Sequence, residues 1–154
     1  MLLDRYDRQI LERLQANGRL TNQELADAIG LSPSPCLRRV RALEEAGLIA
    51  GYHAALDARQ LGLMLTALVH ISMDRHTPER FATFEAQIAQ WPEVVECLLI
   101  TGQSADYQLK VVVADMDAYQ QLLLNRITRI EGVSGVHTSF VLRQLRDYPA
   151  LPVP

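Results

Sequence analysis

The sequence predicts an α+β chain in two unlike parts: three short helices first, then a half ordered β-α-β-β-α-β. Three observations carry this prediction. Up to Gly47 apolar residues recur at helical spacing, from about Leu61 they alternate with period two, and the second part contains an internal echo. The echo pairs Trp91-Pro-Glu-Val-Val-Glu-Cys-Leu-Leu with Ile130-Glu-Gly-Val-Ser-Gly-Val-His-Thr, each a helix exit into a strand.

In the first helix Tyr6, Ile10, Leu11 and Leu14 trace a buried stripe, and Asn17-Gly18 supplies the left-handed residue that commonly ends a helix. Thr21-Asn-Gln-Glu24 opens the second as a capping box, in which the Thr21 hydroxyl accepts the Glu24 amide and the Glu24 side chain accepts the Thr21 amide. This helix buries Leu25, Ala26 and Ile29 and stops at Gly30. The third starts sharply within Leu31-Ser-Pro-Ser-Pro-Cys36: Ser32 suits the N-cap and Pro33 the first helical position, and Pro35 falls in the first turn, where a missing N–H costs nothing. It runs to Ala46-Gly47, with Leu37, Val40 and Leu43 inward and Ser34, Arg38, Arg39 and Arg41 outward or on the flanks. Leu48 to His53 reads as a short strand and turn in the place of a wing. Residues 1–60 are therefore read as a winged helix-turn-helix with its linker.

In the second part Leu65, Ala67, Val69, Ile71 and Met73 alternate with Thr66, Leu68, His70 and Ser72, a half-buried strand. Thr77-Pro78 caps a helix burying Phe81, Phe84, Ile88 and Trp91. Val94 to Thr101 is a β-branched, apolar run, 102–106 a turn, and Tyr107 to Ala114 a third strand. Asp115 or Asp117 caps a helix with Tyr119, Leu122, Leu123, Ile127 and Ile130 inward, and Gly132-Val-Ser-Gly135 leads to a last strand from Val136 to about Leu145. Right-handed crossovers make this a ferredoxin-like antiparallel sheet over residues 61–147, with both helices on one face. The other face, with Leu68, His70, Leu99 and Val112 or their alternates, is left bare, which points to a second subunit. Residues 148–154 read as a Pro-rich extended tail.

Composition narrows the function. Of 154 residues 49% are hydrophobic and 21% charged, which describes a folded chain and not a disordered one. The N-terminus has no apolar signal core and no stretch approaches the ~20 apolar residues of a membrane span, so a cytoplasmic protein is expected, nucleoid-associated where it binds DNA. Cys36 and Cys97 lack nearby ligand partners, and His53, His70, His76 and His137 lack ligand spacing, so neither a metal nor a cofactor is expected. No nucleophile–base pair or phosphate loop is visible, which argues against an enzyme. The net charge of −3 opposes nucleic-acid binding in general, but Leu31 to Leu43 holds Arg38, Arg39 and Arg41 and no acid.

Asp7-Arg-Gln-Ile-Leu, Asn17-Gly-Arg-Leu-Thr-Asn-Gln-Glu-Leu-Ala, Ile29-Gly-Leu-Ser-Pro-Ser-Pro-Cys-Leu-Arg-Arg-Val-Arg and Leu43-Glu-Glu-Ala-Gly-Leu-Ile-Ala-Gly-Tyr, taken in order, resemble the leucine-responsive regulator/AsnC (feast/famine) family of transcription factors. Thr101-Gly-Gln-Ser-Ala-Asp-Tyr107 resembles that family's effector-responsive loop. The resemblance implies a winged helix-turn-helix, a C-terminal domain of RAM/ACT-like type, dimers that often build octamers, and an amino acid or related metabolite as effector. One departure is Ala105, where family members commonly carry an aromatic residue, so the effector of well-known members does not transfer.

The expected DNA-contacting set is Ser32, Ser34, Pro35, Cys36, Arg38, Arg39 and Arg41. Arg38 and Arg39 are preferred for direct contacts with base edges or phosphates of double-stranded DNA. Arg41 has an equal alternative in Glu44 or Glu45 on its own helix, and Cys36 is better read as a packing residue than as a redox switch. The expected effector set is Thr101, Gly102, Ser104, Asp106, Tyr107, Thr138 and Ser139. Given the resemblance, Asp106 is read as pairing with an α-ammonium while amides near Gly102 receive the carboxylate; the plainer reading is a turn former. A purely structural dimerisation half, leaving an effector-independent architectural DNA-binding protein, is the alternative.

Overall fold

A computed structural model describes residues 2–102, 104–146 and 150–154 of the chain. Gln103 of the loop, the expected domain end at 147 and the start of the tail at 148–149 lie outside these residues. The chain divides into two compact units, Met1–Ala55 together with Arg146–Pro154, and Leu56–Leu145.

The N-terminal unit contains α1 (Arg5–Ala16), α2 (Asn22–Ile29) and α3 (Pro33–Glu45) around Ile10, Leu25, Ala26, Ile29, Cys36 and Leu43. The Thr21 box forms as expected: Thr21 Oγ1 accepts the Glu24 amide at 3.2 Å and Glu24 Oε2 accepts the Thr21 amide at 2.8 Å. Gly30 takes the left-handed conformation, φ 72°, that closes α2 and turns the chain into α3. Asn22 Nδ2 donates to the Pro33 carbonyl at 2.8 Å across that turn.

Four local expectations need correction. Asn17 is extended, φ −150°, and Gly18 has no positive φ, so α1 ends without a left-handed residue. Ser32 holds the N-cap position of α3 without a side-chain cap hydrogen bond. The inward stripe of α3 begins one residue earlier than expected, at Cys36, and continues through half-buried Val40 to Leu43; Leu37 is exposed. No strand forms at 48–53: with Gly47 at φ 72°, the Leu48 and Ile49 amides both turn back to the Leu43 carbonyl, at 3.0 and 3.2 Å, and Ile49 packs on the helical core. The tail is also less free than expected. The Leu151 amide donates to Gln15 Oε1 at 2.7 Å, Gln15 Nε2 donates to the Leu151 carbonyl at 3.1 Å, and Arg8 Nε donates to the Pro154 carbonyl.

The C-terminal unit holds β1 (Leu65–Met73), α4 (Pro78–Ile88), β2 (Val94–Leu99), β3 (Tyr107–Val113), α5 (Met116–Asn125), a 3₁₀ turn (Ile127–Arg129) and β4 (Val133–Phe140). The four strands pair antiparallel in the order β2-β3-β1-β4. Thr77 and Asp115 accept the Arg80 and Ala118 amides, at 3.4 and 2.8 Å, as the caps of α4 and α5. Every second residue of β1 and β3, from Ala67 to Met73 and Tyr107 to Val113, is buried against Phe84, Ile88, Tyr119, Leu122, Ile127 and Ile130. The opposite sheet face carries Leu68, His70, Lys110, Val112, His137 and Ser139, half-buried or exposed. Leu99 pairs with Tyr107 and so lies on the helix side; Leu98, opposite Gln108, takes its expected place on the uncovered face. β4 starts and ends earlier than expected because Gly132, φ 96°, already returns the chain to β1, its carbonyl accepting the Asp74 amide at 2.7 Å.

Candidate DNA-binding surface and ligand loop

The exposed face of α3 presents Ser34, Arg38 and Arg41, one turn apart, with Ser32 just before the helix and half-buried Pro35 at its flank. Ser32, released from capping, keeps its hydroxyl available. Neither Arg38 nor Arg41 has a hydrogen bond or ion pair among the described residues. Glu44, one of the two alternatives for Arg41, instead accepts the Tyr52 hydroxyl at 2.9 Å.

Two members of the expected set leave it. Cys36 is fully enclosed between helices, and burial pushes its thiol above the ordinary range, so it packs the core and offers neither a DNA contact nor a thiolate. Arg39 turns to the start of α1: its Nη1 lies 2.8 Å from Asp4 Oδ2 and 2.7 Å from Asp7 Oδ1, and its guanidinium carbon 5.4 Å from the Tyr6 ring centroid. Hydrogen bonds to the two carboxylates raise the Arg39 pKa further. Nothing local in the sequence marks this clamp, because Asp4 and Asp7 stand over thirty residues before Arg39.

Ahead of β3, Ser104 and Asp106 lie beside the end of β1. Asp106 is pinned there by four bonds. Its amide donates to the Ile71 carbonyl and its carbonyl accepts the Ile100 amide, both at 2.8 Å; Oδ2 accepts the Met73 amide at 2.7 Å, and Oδ1 lies 2.8 Å from His76 Nε2. Thr101, Gly102 and Ser104 are exposed, and Ser72 Oγ donates to the Ser104 carbonyl at 3.0 Å. Ala105 is buried.

Three expected effector residues are not brought to this loop as open groups. Tyr107 is a core residue, with Phe81 and Phe84 around its ring and its hydroxyl donating to Glu85 Oε1 at 2.6 Å. Thr138 sits level with Val69 on the helix side and is hydrogen-bonded to the Tyr119 hydroxyl. Ser139, its neighbour, points to the uncovered face opposite Leu68, because successive strand residues alternate. The groups that do surround Asp106 are Ser72, Met73 and His76 at the end of β1, which period-two reading assigned only to a strand and its exit. A cavity of about 470 Å³, also unforeseen, opens between α4 and β2, with Ile88, Val94 and Leu99 in its wall beside Glu85 and Tyr107. Among the described residues no cluster of His, Cys, Asp or Glu is placed to hold a metal ion, and no helix is long and apolar enough to cross a membrane.

Residues 3–50 match the family described as winged helix-turn-helix DNA-binding, and residues 66–151 the Lrp/AsnC ligand binding domain. The chain is 44% identical to the Bkd operon transcriptional regulator of Pseudomonas aeruginosa, over 97% of this chain and 98% of that protein. It is 42% identical to the leucine-responsive regulatory protein of Escherichia coli K12, over 94% and 88%. A Neisseria meningitidis transcriptional regulator, solved as an L-Met complex, superposes with a TM-score of 0.94 at 40% identity, covering 98% of this chain and 97% of that one. E. coli AsnC superposes at 0.85 with 30% identity, over 95% and 96%. The helix-turn-helix unit, the four-stranded unit and relatives that span both place the chain in the Lrp/AsnC family: it is a DNA-binding transcriptional regulator with a ligand-binding domain, and not an enzyme.

Proposed function

We propose that the chain works at the nucleoid in the cytoplasm as a homo-oligomer, reads double-stranded DNA with the exposed face of α3, and changes DNA affinity or assembly when it binds an amino acid or close relative. The observation that carries the DNA reading is the row Ser34, Arg38 and Arg41, solvent-facing and uncommitted on the helix that follows a tight turn. Dimerisation, with further assembly to octamers, is supported by the sheet face bearing Leu68, Leu98 and Val112, which none of the described helices of the C-terminal unit covers. The amino acid is supported by the ligand-binding family match and by the L-Met complex of the Neisseria relative.

In this reading the loop holds the ligand site, with Thr101, Gly102 and Ser104 as its exposed residues and Asp106 as its anion. The ammonium of the ligand replaces His76 on Asp106 Oδ1. His76 is 69% exposed, so little packing is lost when it leaves. A second reading, an architectural protein without effector, is favoured by one observation: both Asp106 oxygens already have partners.

The test is a DNA-binding isotherm with and without L-Met, then with any other amino acid that raises the thermal midpoint, beside sedimentation of the same samples. A ligand present at 100 times its Kd stabilises the fold by about 2.7 kcal/mol. The expected result is a ligand-dependent change in affinity or assembly in the wild type that Asp106→Ala abolishes. If no amino acid moves the midpoint, the affinity or the sedimentation coefficient, the second reading replaces the first.

A further inference from the structure

We propose that Arg39 is a positioning residue, which sets how α3 is held against the start of α1 and touches neither phosphate nor base itself. The proposal rests on the reading of α3 as the recognition helix.

The physical reason lies in how α1 begins. A capping box usually pairs a neutral hydroxyl with one carboxylate, as Thr21 and Glu24 do on α2. At α1 both members are acids. Asp4 Oδ1 accepts the amides of Tyr6 and Asp7 at 2.8 and 3.0 Å, and Asp7 Oδ2 accepts the Asp4 amide at 3.1 Å. Each carboxylate therefore commits one oxygen to the backbone and turns the other to the single Nη1 of Arg39.

Two carboxylates this close repel each other, and Asp7 has almost no access to water, its side chain being 7% exposed. The positive end of α1 is equivalent to only about half a charge. A cation between the two acids is thus what lets this box exist, and α3 supplies it. The Tyr6 ring beneath the guanidinium adds a third contact from the same turn. A phosphate that approached Arg39 would meet Asp4 and Asp7 as well, whereas Arg38, the preceding residue on α3, meets neither. Any tilt of α3 that follows loss of the clamp displaces Arg38 and Arg41 together.

The experiment measures affinity of the full chain against salt concentration, for a short duplex that the wild type has selected from a randomised pool and for a shuffled duplex. Arg39→Ala is expected to weaken the selected duplex by about tenfold while leaving the slope of log affinity against log salt unchanged. A lost phosphate contact instead lowers that slope by about 0.9. Asp7→Ala supplies a test of opposite sign. It removes a negative charge and frees Arg39, so a DNA-contacting Arg39 makes binding tighter; a positioning Arg39 makes it weaker. The double variant is expected to bind no more weakly than the worse single one. Asp4→Asn, which keeps a good N-cap, repeats the sign test if Asp7→Ala unfolds the N-terminal unit. Tighter binding in either acid variant, or a reduced slope in Arg39→Ala, overturns the proposal. Arg38→Ala serves as the control: unchanged affinity and slope there would sink the recognition-helix reading instead.

Discussion

Tyr107 illustrates how much a single side chain can be asked to hold. Its ring stands edge-on to Phe81 at 5.7 Å and tilted against Phe84 at 4.5 Å, while its hydroxyl reaches Glu85. Burial first, and the neighbouring Glu85 second, hold the phenol well above its ordinary range. In the unfolded chain the same phenol titrates near ~10. The folded form keeps its proton longer, so this contribution is complete below that pH and is lost as pH rises from the unfolded pKa towards the folded one. Thermal midpoints measured from pH 8 upward are expected to fall less steeply above about pH 10 for Tyr107→Phe than for the wild type. Below that range the variant, which keeps the ring packing but leaves Glu85 without its donor, should cost about 1 kcal/mol. Sequence reading placed Tyr107 at the start of the third strand and in the effector set and missed its core role, because its partners Phe81, Phe84 and Glu85 come from α4, more than twenty residues away. The ion pairs of Arg39 were hidden for the same reason: helical spacing gives a side chain's direction, but Asp4 and Asp7 lie over thirty residues earlier.

Elements were more legible where a cap or a strict period marked them. The Thr21 box, Gly30, Thr77-Pro78 and the alternation along β1 are local signals, and α2, α4 and β1 appear where those signals lie. Thr21→Ala is expected to lower the stability of the N-terminal unit by about 1 kcal/mol, read as a shift in its denaturant midpoint with unchanged m-value. Strand ends were less legible because pairing and not composition decides them. Val133 and Ser134 join β4 since Ser134 Oγ donates to the Ser72 carbonyl at 3.1 Å and Gly135 lies directly beside Ser72. The strand expected at 48–53 is absent for a related reason: a β-branched or aromatic run becomes a strand only with a partner, and the Leu48 and Ile49 amides are already taken by Leu43.

On the scale of the whole molecule, the fold class was readable from the order of periods and the family from the motifs that resemble it, whereas the path of the C-terminal segment was not. Ala150 to Pro154 has no periodicity, and its docking depends on the Gln15 side chain pairing with both backbone groups of Leu151. Geometry fits this: Arg8 and Gln15 are about 10.5 Å apart along α1, and three residues of extended proline-rich chain span about 9.3 Å. Deleting residues 150–154 is expected to lower the thermal transition of the N-terminal unit, by the roughly 1 to 3 kcal/mol of two or three exposed hydrogen bonds, and to leave that of the C-terminal unit in place. Calorimetry that resolved two transitions would check it; equal shifts in both would mean that the tail does not belong to the N-terminal unit alone.

The same return of the chain has a consequence for biosynthesis. The three helices leave the ribosome before the segment that lies along α1, which is separated from them by the whole of Leu56–Leu145. At ordinary translation rates the interval is roughly 5 to 20 s, long beside the formation of helices or hairpins. The N-terminal unit therefore stays incomplete until the C-terminal unit has been made, and through that interval the nascent helices lack the two hydrogen bonds between Gln15 and Leu151.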